Sequence, residues 1–324
     1  MTGMNIGPCP VSVAPMLDWT DRHCRYFLRL LTPSARLFTE MITTGALQHG
    51  DRERFLRHDD TEHPLAIQLG GSDPQALAQC AAWAAQAGFD EVNLNVGCPS
   101  DRVQSGRFGA CLMREPETVA ASVVAMREAV AIPVTVKCRI GVDEHDSYAV
   151  LQAFTDKLVE AGVKRLYVHA RKAWLKGLSP KQNRDVPPLD YERVYRLKRD
   201  FPALEIHVNG GVATENAVLS HLQQVDGVML GREAYHNPWL LARLEARLSG
   251  VTELPTRHAV IACLLPYVEE QLTAGVRLHS ITRHIHGLFQ GCPGARAWRR
   301  TLSEQGHRPD AGIDVIEQAL VCVS

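Results

Sequence analysis

Eight short runs rich in β-branched residues punctuate the first three quarters of the chain. Each ends in a polar or glycine-containing turn and is followed by a stretch of helical length and composition. In order they are VSVAPM (11–16), ARLFTEM (35–41), PLAIQLG (64–70), EVNLNVG (91–97), PVTVKCRI (133–140), RLYVHAR (165–171), EIHVNGG (205–211) and GVMLGRE (227–233). Several are apolar on both faces, as strands covered by helices on each side must be, and the intervening stretches 73–87, 116–130 and 214–223 read as helices. Eight β/α units within about 245 residues predict an α/β fold of the TIM (β/α)8 type, whose usual size is roughly 250 residues. An open doubly wound sheet is the alternative.

The texture changes at SGVTELPT (249–256), where Gly, Thr and Pro interrupt a helical pattern over 238–248. A boundary there divides the chain into a barrel over 1–248 and a small all-helical C-terminal domain over 249–324, with helices expected near 256–274, 278–289, 294–304 and 312–322. The formal net charge of −1 conceals an uneven distribution. Residues 164–199 hold eleven Lys and Arg against three Asp and Glu, and residues 277–308 hold six Arg against one Glu. Two basic segments on an otherwise acidic chain predict a polyanion met at a defined place. The nine cysteines are scattered and form no CxxC pair, which argues against a disulfide framework or a structural zinc and for a reducing cytoplasm. Residues 1–10 lack the basic start and apolar run of a leader, and no eighteen-residue apolar stretch occurs, so no membrane association is expected.

In such a barrel the chemistry sits at the C-terminal strand ends, and here those ends are polar. The first run finishes in Pro15 and Met16, the second in Glu40, the third in Gln68, and the fourth in Asn93, Asn95 and Cys98. Lys137 and Arg139 close the fifth, and His169 and Arg171 the sixth. Asn209-Gly210-Gly211 and Gly231-Arg232 end the last two, where barrel loops commonly bind phosphate through backbone N–H groups. Lys137 lies out of phase with Val134, Val136 and Cys138 and so projects into the barrel, where a lysine is costly unless an anion meets it. A phosphorylated ligand lying across the mouth, of the shape of flavin mononucleotide (FMN), satisfies both features. No metal site is expected.

Cys98 stands on a Gly-Cys-Pro turn beyond the fourth run, whereas Cys80, Cys138 and Cys263 read as buried small hydrophobes. An accessible thiol at the mouth can serve as an acid or a nucleophile, and the polar, Gly-rich DRVQSGRFGACLM after it reads as a mobile loop. At these residues the chain resembles the tRNA-dihydrouridine synthases, specifically their bacterial A-type branch. The most specific element is NLNVGCPSDRVQSGRFGACLM (93–113), and VAPMLDWTDRHCR, VKCRIG, VHARKAWLKGLSPKQNR, VNGGV and MLGREAYHNP match segment by segment, so the resemblance spans essentially the whole chain.

The resemblance implies an FMN-bearing barrel followed by a helical tRNA-binding domain, with NADPH as reductant. It implies FMN contacts from Pro15, Met16, Leu17, Gln68, Lys137, His169, Asn209, Gly210, Gly211, Gly231 and Arg232, and a proton-donor role for Cys98. Hydride would reach C6 of a uracil from the flavin, and Cys98 would protonate C5; a neutral thiol suits that task better than nucleophilic attack. Lys137 would offset charge on the reduced flavin edge. The uridine must be splayed out of the RNA, where Asn95 could meet the pyrimidine. Lys181 and Arg184, after the sixth run, and Arg296, Arg299 and Arg300, at helical spacings of three and four, are expected to grip tRNA. The A-type match implies D-loop positions 20 and 20a. No obligate protein partner is indicated. The rivals are an FMN barrel reducing a small molecule, of the dihydroorotate dehydrogenase or ene-reductase kind, and a non-catalytic tRNA-binding protein.

Overall fold

A computed structural model describes residues 9–250 and 253–323, without the side chains of residues 102 and 104. Residues 1–8, most of the start read above for a leader, and residues 251 and 252 of the expected boundary lie outside the described residues. All eight expected strands form. The chain runs β1 (Val11–Val13), α1 (Arg22–Arg29), β2 (Leu37–Thr43), α2 (Thr44–His49), α3 (Arg52–Leu56), β3 (Leu65–Gly70), α4 (Pro74–Gln86) and β4 (Glu91–Val96). It continues through α5 (Asp101–Ser105), α6 (Pro116–Ala129), β5 (Val134–Arg139), α7 (Tyr148–Glu160), β6 (Arg165–His169), α8 (Tyr191–Asp200), β7 (Glu205–Asn209), α9 (Glu215–Leu222) and β8 (Gly227–Leu230). The strands are parallel in the order β1-β8-β7-β6-β5-β4-β3-β2, and a parallel bridge between Ser12 and Arg36 joins β1 back to the start of β2, closing the barrel.

Local chemistry explains the alternation. β3 and β4 are buried along their whole length, as strands sandwiched between barrel interior and helices must be. Helices begin where a short polar side chain can accept orphan N–H groups: Asp73 caps α4 with Pro74 at its first turn, and Ser147 and Thr214 cap α7 and α9. The interior itself is of two kinds. Ala14, Phe38, Ala66, Tyr167 and Met229 make a small apolar plug, whereas β3, β4, β5 and β7 send Gln68, Asn93, Asn95, Thr135, Lys137 and Asn209 inward.

After β8 the chain is helical among the described residues: α10 (Arg232–His236), α11 (Trp239–Ser249), α12 (Arg257–Thr273), α13 (Leu278–Thr282), α14 (Ala295–Gln305) and α15 (Ile313–Leu320). The expected helix over 278–289 is shorter than its composition suggested. It stops at Thr282 because a run of turns carries residues 283–292 against the barrel, bringing Gly287 so near His236 that a Cβ there would meet its carbonyl oxygen at 2.4 Å. The tail is not a loose appendage. Tyr267 of α12 stacks on Tyr26 of α1 with centroids 3.8 Å apart and bonds His23 Nδ1 at 2.7 Å, and one apolar core runs unbroken from the barrel helices to Trp298 and Val315. Cys80 and Cys138 are buried as expected, but Cys263 is exposed. On α12 the buried stripe is Val260, Ile261, Leu264, Tyr267, Val268 and Gln271, and Cys263 falls outside it.

Candidate active site

The C-terminal rim gathers most of the residues expected there. β4 is the organising element because its period of two turns Glu91, Asn93 and Asn95 to the barrel interior in succession. At its end the Asn95 carboxamide oxygen accepts the backbone N–H groups of Gly97 (3.1 Å) and Cys98 (3.0 Å), while its amide donates to Gln68 Oε1 at 2.7 Å. Asn95 therefore builds the turn that presents Cys98. The Cys98 thiol is half-buried beside the Ser100 hydroxyl (3.5 Å), and its carbonyl accepts Ala110 N at 2.8 Å. Gly109 makes that closure possible: its φ is +75°, and a Cβ there would come within 2.5 Å of the Cys98 carbonyl oxygen.

The segment after Cys98, expected as a mobile loop, carries regular structure. It forms α5 and a 3-10 turn over Gly109–Arg114, and Val103, Phe108, Ala110, Leu112 and Met113 are buried. Its polar residues hid an apolar set spaced to pack against the barrel.

Lys137 extends inward from β5 and donates to Asn209 Oδ1 of β7 at 3.0 Å. Its side chain opens partly to the mouth, yet desolvation of the ammonium and the neighbouring Arg139 pull its pKa down to about 8. His169, at the end of β6, is held well below the usual histidine range by burial and then by Arg139, Lys137, Arg171 and Arg184, so it is neutral. Gly210 (φ +111°) admits the imidazole, since a Cβ there would lie 2.6 Å from His169 Cδ2. Gly231 opens on free space, where a Cβ would find nothing nearer than 4.0 Å, and Arg232 pairs with Asp185 at 2.6 Å. On the β1 side Pro15 and Met16 are half-buried and Leu17 stands 70% exposed beyond them. Lys181 and Arg184 are exposed in the loop after β6.

The rim thus concentrates cations. Lys137, Arg139, Arg171 and Arg184 surround His169, and beside them Asp185 is the carboxylate paired with Arg232, which is the electrostatic demand of an anionic ligand. Arg296, Arg299 and Arg300 lie elsewhere, exposed on α14, where none forms an ion pair among the described residues. A cleft of about 550 Å³ lined by Arg127, Gly162, Lys164 and Phe201 opens at the N-terminal ends of β6 and β7; it lies on the face opposite this chemistry.

Two residues escaped sequence reasoning as site builders. Arg139 donates to the carbonyls of Gly97 (2.9 Å), Lys172 (3.1 Å) and Asn183 (3.0 Å), tying the Cys98 turn to the long loop after β6. Asn183, fully buried, fixes that loop by bonding Trp174 through both N–H (2.7 Å) and carbonyl (2.8 Å). Arg139 carried a signal, an inward-ending strand position; Asn183 sits in irregular chain and carried none.

Comparison with known proteins agrees with this architecture. The dihydrouridine synthase (Dus) family model matches residues 12–322. A tRNA-dihydrouridine(20/20a) synthase of Shewanella oneidensis is 60% identical over 309 residues, covering 95% of this chain and 92% of that protein. One of Yersinia pestis is 60% identical over 316 residues (97% and 91%), and one of Escherichia coli O6:H1 is 56% identical over 315 (97% and 95%).

Proposed function

The chain belongs to the dihydrouridine synthase family, and from that premise we propose that it reduces uridine to 5,6-dihydrouridine in the tRNA D-loop, at positions 20 and 20a, using FMN and NADPH. The observation that carries this reading is the rim itself: a thiol on an Asn95-held turn beside a cluster of desolvated cations with too few carboxylates. FMN, once bound and reduced by NADPH, would supply hydride to C6 of the uracil, and Cys98 would supply the proton to C5.

The residues present fit that cofactor. Gly231 leaves room for close approach to the backbone and Arg232 is adjacent, which suits a phosphate, while Gly210 and Gly211 shape the neighbouring loop. Pro15, Met16 and Leu17 offer an apolar edge for a ring. Gln68 holds one amide hydrogen for Asn93, which leaves the other to a ring acceptor. Lys137, placed by Asn209, would neutralise negative charge on a bound flavin, and neutral His169 beside it would donate or accept a hydrogen bond without adding charge. Asn95 has one amide hydrogen beyond its bond to Gln68, available to a pyrimidine carbonyl. Lys181 and Arg184 at the rim and Arg296, Arg299 and Arg300 on α14 contact tRNA phosphates, with residues 249–324 serving as the RNA-binding domain packed on the 1–248 barrel. No described helix is long and apolar enough to cross a membrane, and a tRNA substrate argues for the cytoplasm.

The decisive experiment is turnover of unmodified tRNA by the purified protein with NADPH, paired with mass spectrometry of tRNA from a strain lacking the gene. Dihydrouridine missing at positions 20 and 20a, and restored by the protein in vitro, is expected. Flavin turnover with small enones or dihydroorotate but none with tRNA would assign the chain to the small-molecule rival, and tRNA binding without NADPH oxidation would assign it to the non-catalytic one.

A further inference from the structure

A single line of hydrogen bonds crosses the barrel interior from its floor to the Cys98 turn. At the floor Glu91, fully buried, is met by Arg165 (2.8 Å) and Arg36 (3.3 Å) and by the Tyr167 hydroxyl (3.2 Å). Its other partner is the Thr135 hydroxyl, which donates to Glu91 Oε1 at 2.7 Å. Having given its hydrogen away, the Thr135 oxygen accepts Asn93 Nδ2 (2.8 Å); Asn93 Oδ1 then accepts Gln68 Nε2 (2.8 Å), and Gln68 Oε1 accepts Asn95 Nδ2 (2.7 Å). Asn95 Oδ1 is left facing the backbone N–H groups of Gly97 and Cys98.

The polarity of this line is not free. A carboxylate between two guanidiniums can only accept at one end, and backbone N–H groups can only donate at the other, so every amide between them has one permitted orientation. Glu91, Asn93 and Asn95 are alternate residues of β4, and strand register sets Gln68 and Thr135 each opposite Asn93. All five side chains are buried, where an amide turned the wrong way would leave polar groups unpaired at a cost above that of the bond itself.

We propose that Thr135 and Asn93 are positioning residues for the reaction: they relay the fixed polarity of the Glu91 carboxylate through Gln68 and Asn95, and so hold both the Cys98 turn and the orientation of the Gln68 amide at the barrel mouth. Neither residue need touch a ligand. The consequence for Cys98 rests on its proton-donor reading and that for Gln68 on its flavin contact, but the geometry of the turn can be measured without either.

Thr135→Val keeps the shape and removes the hydroxyl; Thr135→Ser keeps the hydroxyl. In flavin-free protein the rate of Cys98 alkylation by iodoacetamide, followed by peptide mass spectrometry with exposed Cys263 as internal reference, should change by about threefold or more in Thr135→Val. FMN affinity, read by fluorescence quenching, should weaken by about fivefold, the equivalent of one net hydrogen bond. Thr135→Ser should return both to wild type. Asn93→Leu cuts the line one link nearer the turn and should reproduce both changes if Thr135→Val does not fold. A folded Thr135→Val or Asn93→Leu protein with wild-type Cys98 reactivity and FMN affinity overturns the inference, as does a Thr135→Ser variant that fails to restore them. These readings need no turnover, so their failure leaves the proton-donor role of Cys98 standing, and loss of that role would leave them unaffected.

Discussion

Two groups of cations in this chain look alike in sequence and differ in physics. Lys137, Arg139, Arg171 and Arg184 converge on the barrel mouth, where desolvation and mutual repulsion lower the pKa of Lys137 to about 8 and of Arg139 to about 10. Arg296, Arg299 and Arg300 lie on one stretch of α14, exposed and without ion pairs among the described residues. The first group stores electrostatic free energy that a bound anion releases; the second contributes only what salt does not screen. Positive charge in a sequence therefore has no single meaning, and the difference is set by whether the fold removes its water.

The sharpest experiment removes chemistry without touching either group. Cys98→Ala should lower dihydrouridine formation by roughly 10² or more while NADPH still reduces bound flavin, seen as bleaching of its visible absorbance. Wild-type product yield would move the proton donor elsewhere. Next in size, Lys137→Ala should weaken FMN binding or slow its reduction by roughly 10- to 100-fold, and the loss should persist from low to moderate salt because the interaction is desolvated. A loss that vanishes with added salt would erase the distinction between the two groups.

Arg296→Ala combined with Arg299→Ala should act the other way round. Binding of tRNA should weaken, and the slope of log affinity against log salt should flatten by about one to two units, with NADPH oxidation by FMN intact. Unchanged affinity across the titration would leave the α14 cluster with only a structural role.

The smallest effect concerns stability of the flavin-free protein. Because the folded chain holds Lys137 at about 8 against an ordinary value of 10.5, the unfolded chain binds more protons between those limits, and stability must rise with pH across that window. Relative to Lys137→Met, wild type should gain about 1–2 kcal/mol from pH 8 to 10.5, a few degrees in Tm, with no such difference below pH 8. Saturating FMN should flatten the rise. Parallel melting curves for the two proteins would mean that Lys137 is not desolvated.

Much of this was legible in the sequence, for a physical reason. The eight strands declared themselves because a parallel strand buried on both faces must be apolar almost throughout, and the departures from that rule, Gln68, Asn95, Lys137 and Asn209, were visible as the residues to explain. The family was legible from the residues around Cys98, and the chain's membership agrees with it. Period-two alternation was enough to aim Lys137 inward, and its bond to Asn209 across the barrel bears that direction out.

Other features depend on contacts between residues far apart in the chain, which no local pattern encodes. The turns over 283–292 follow from the approach of Gly287 to His236, and the exposure of Cys263 follows from which stripe of α12 finds the barrel. The anchoring of the segment after Cys98 by Phe108 and Leu112, and the grip of Arg139 on the Cys98 turn and the long loop after β6, likewise exist only once the barrel closes. Sequence alone determined which strands form, which faces are apolar, and which polar residues stand at strand ends, since these follow from alternation and propensity along the chain. Tertiary structure decided which cations lose their water and which way each buried amide points, because desolvation and hydrogen-bond polarity are properties of neighbours brought together only by folding.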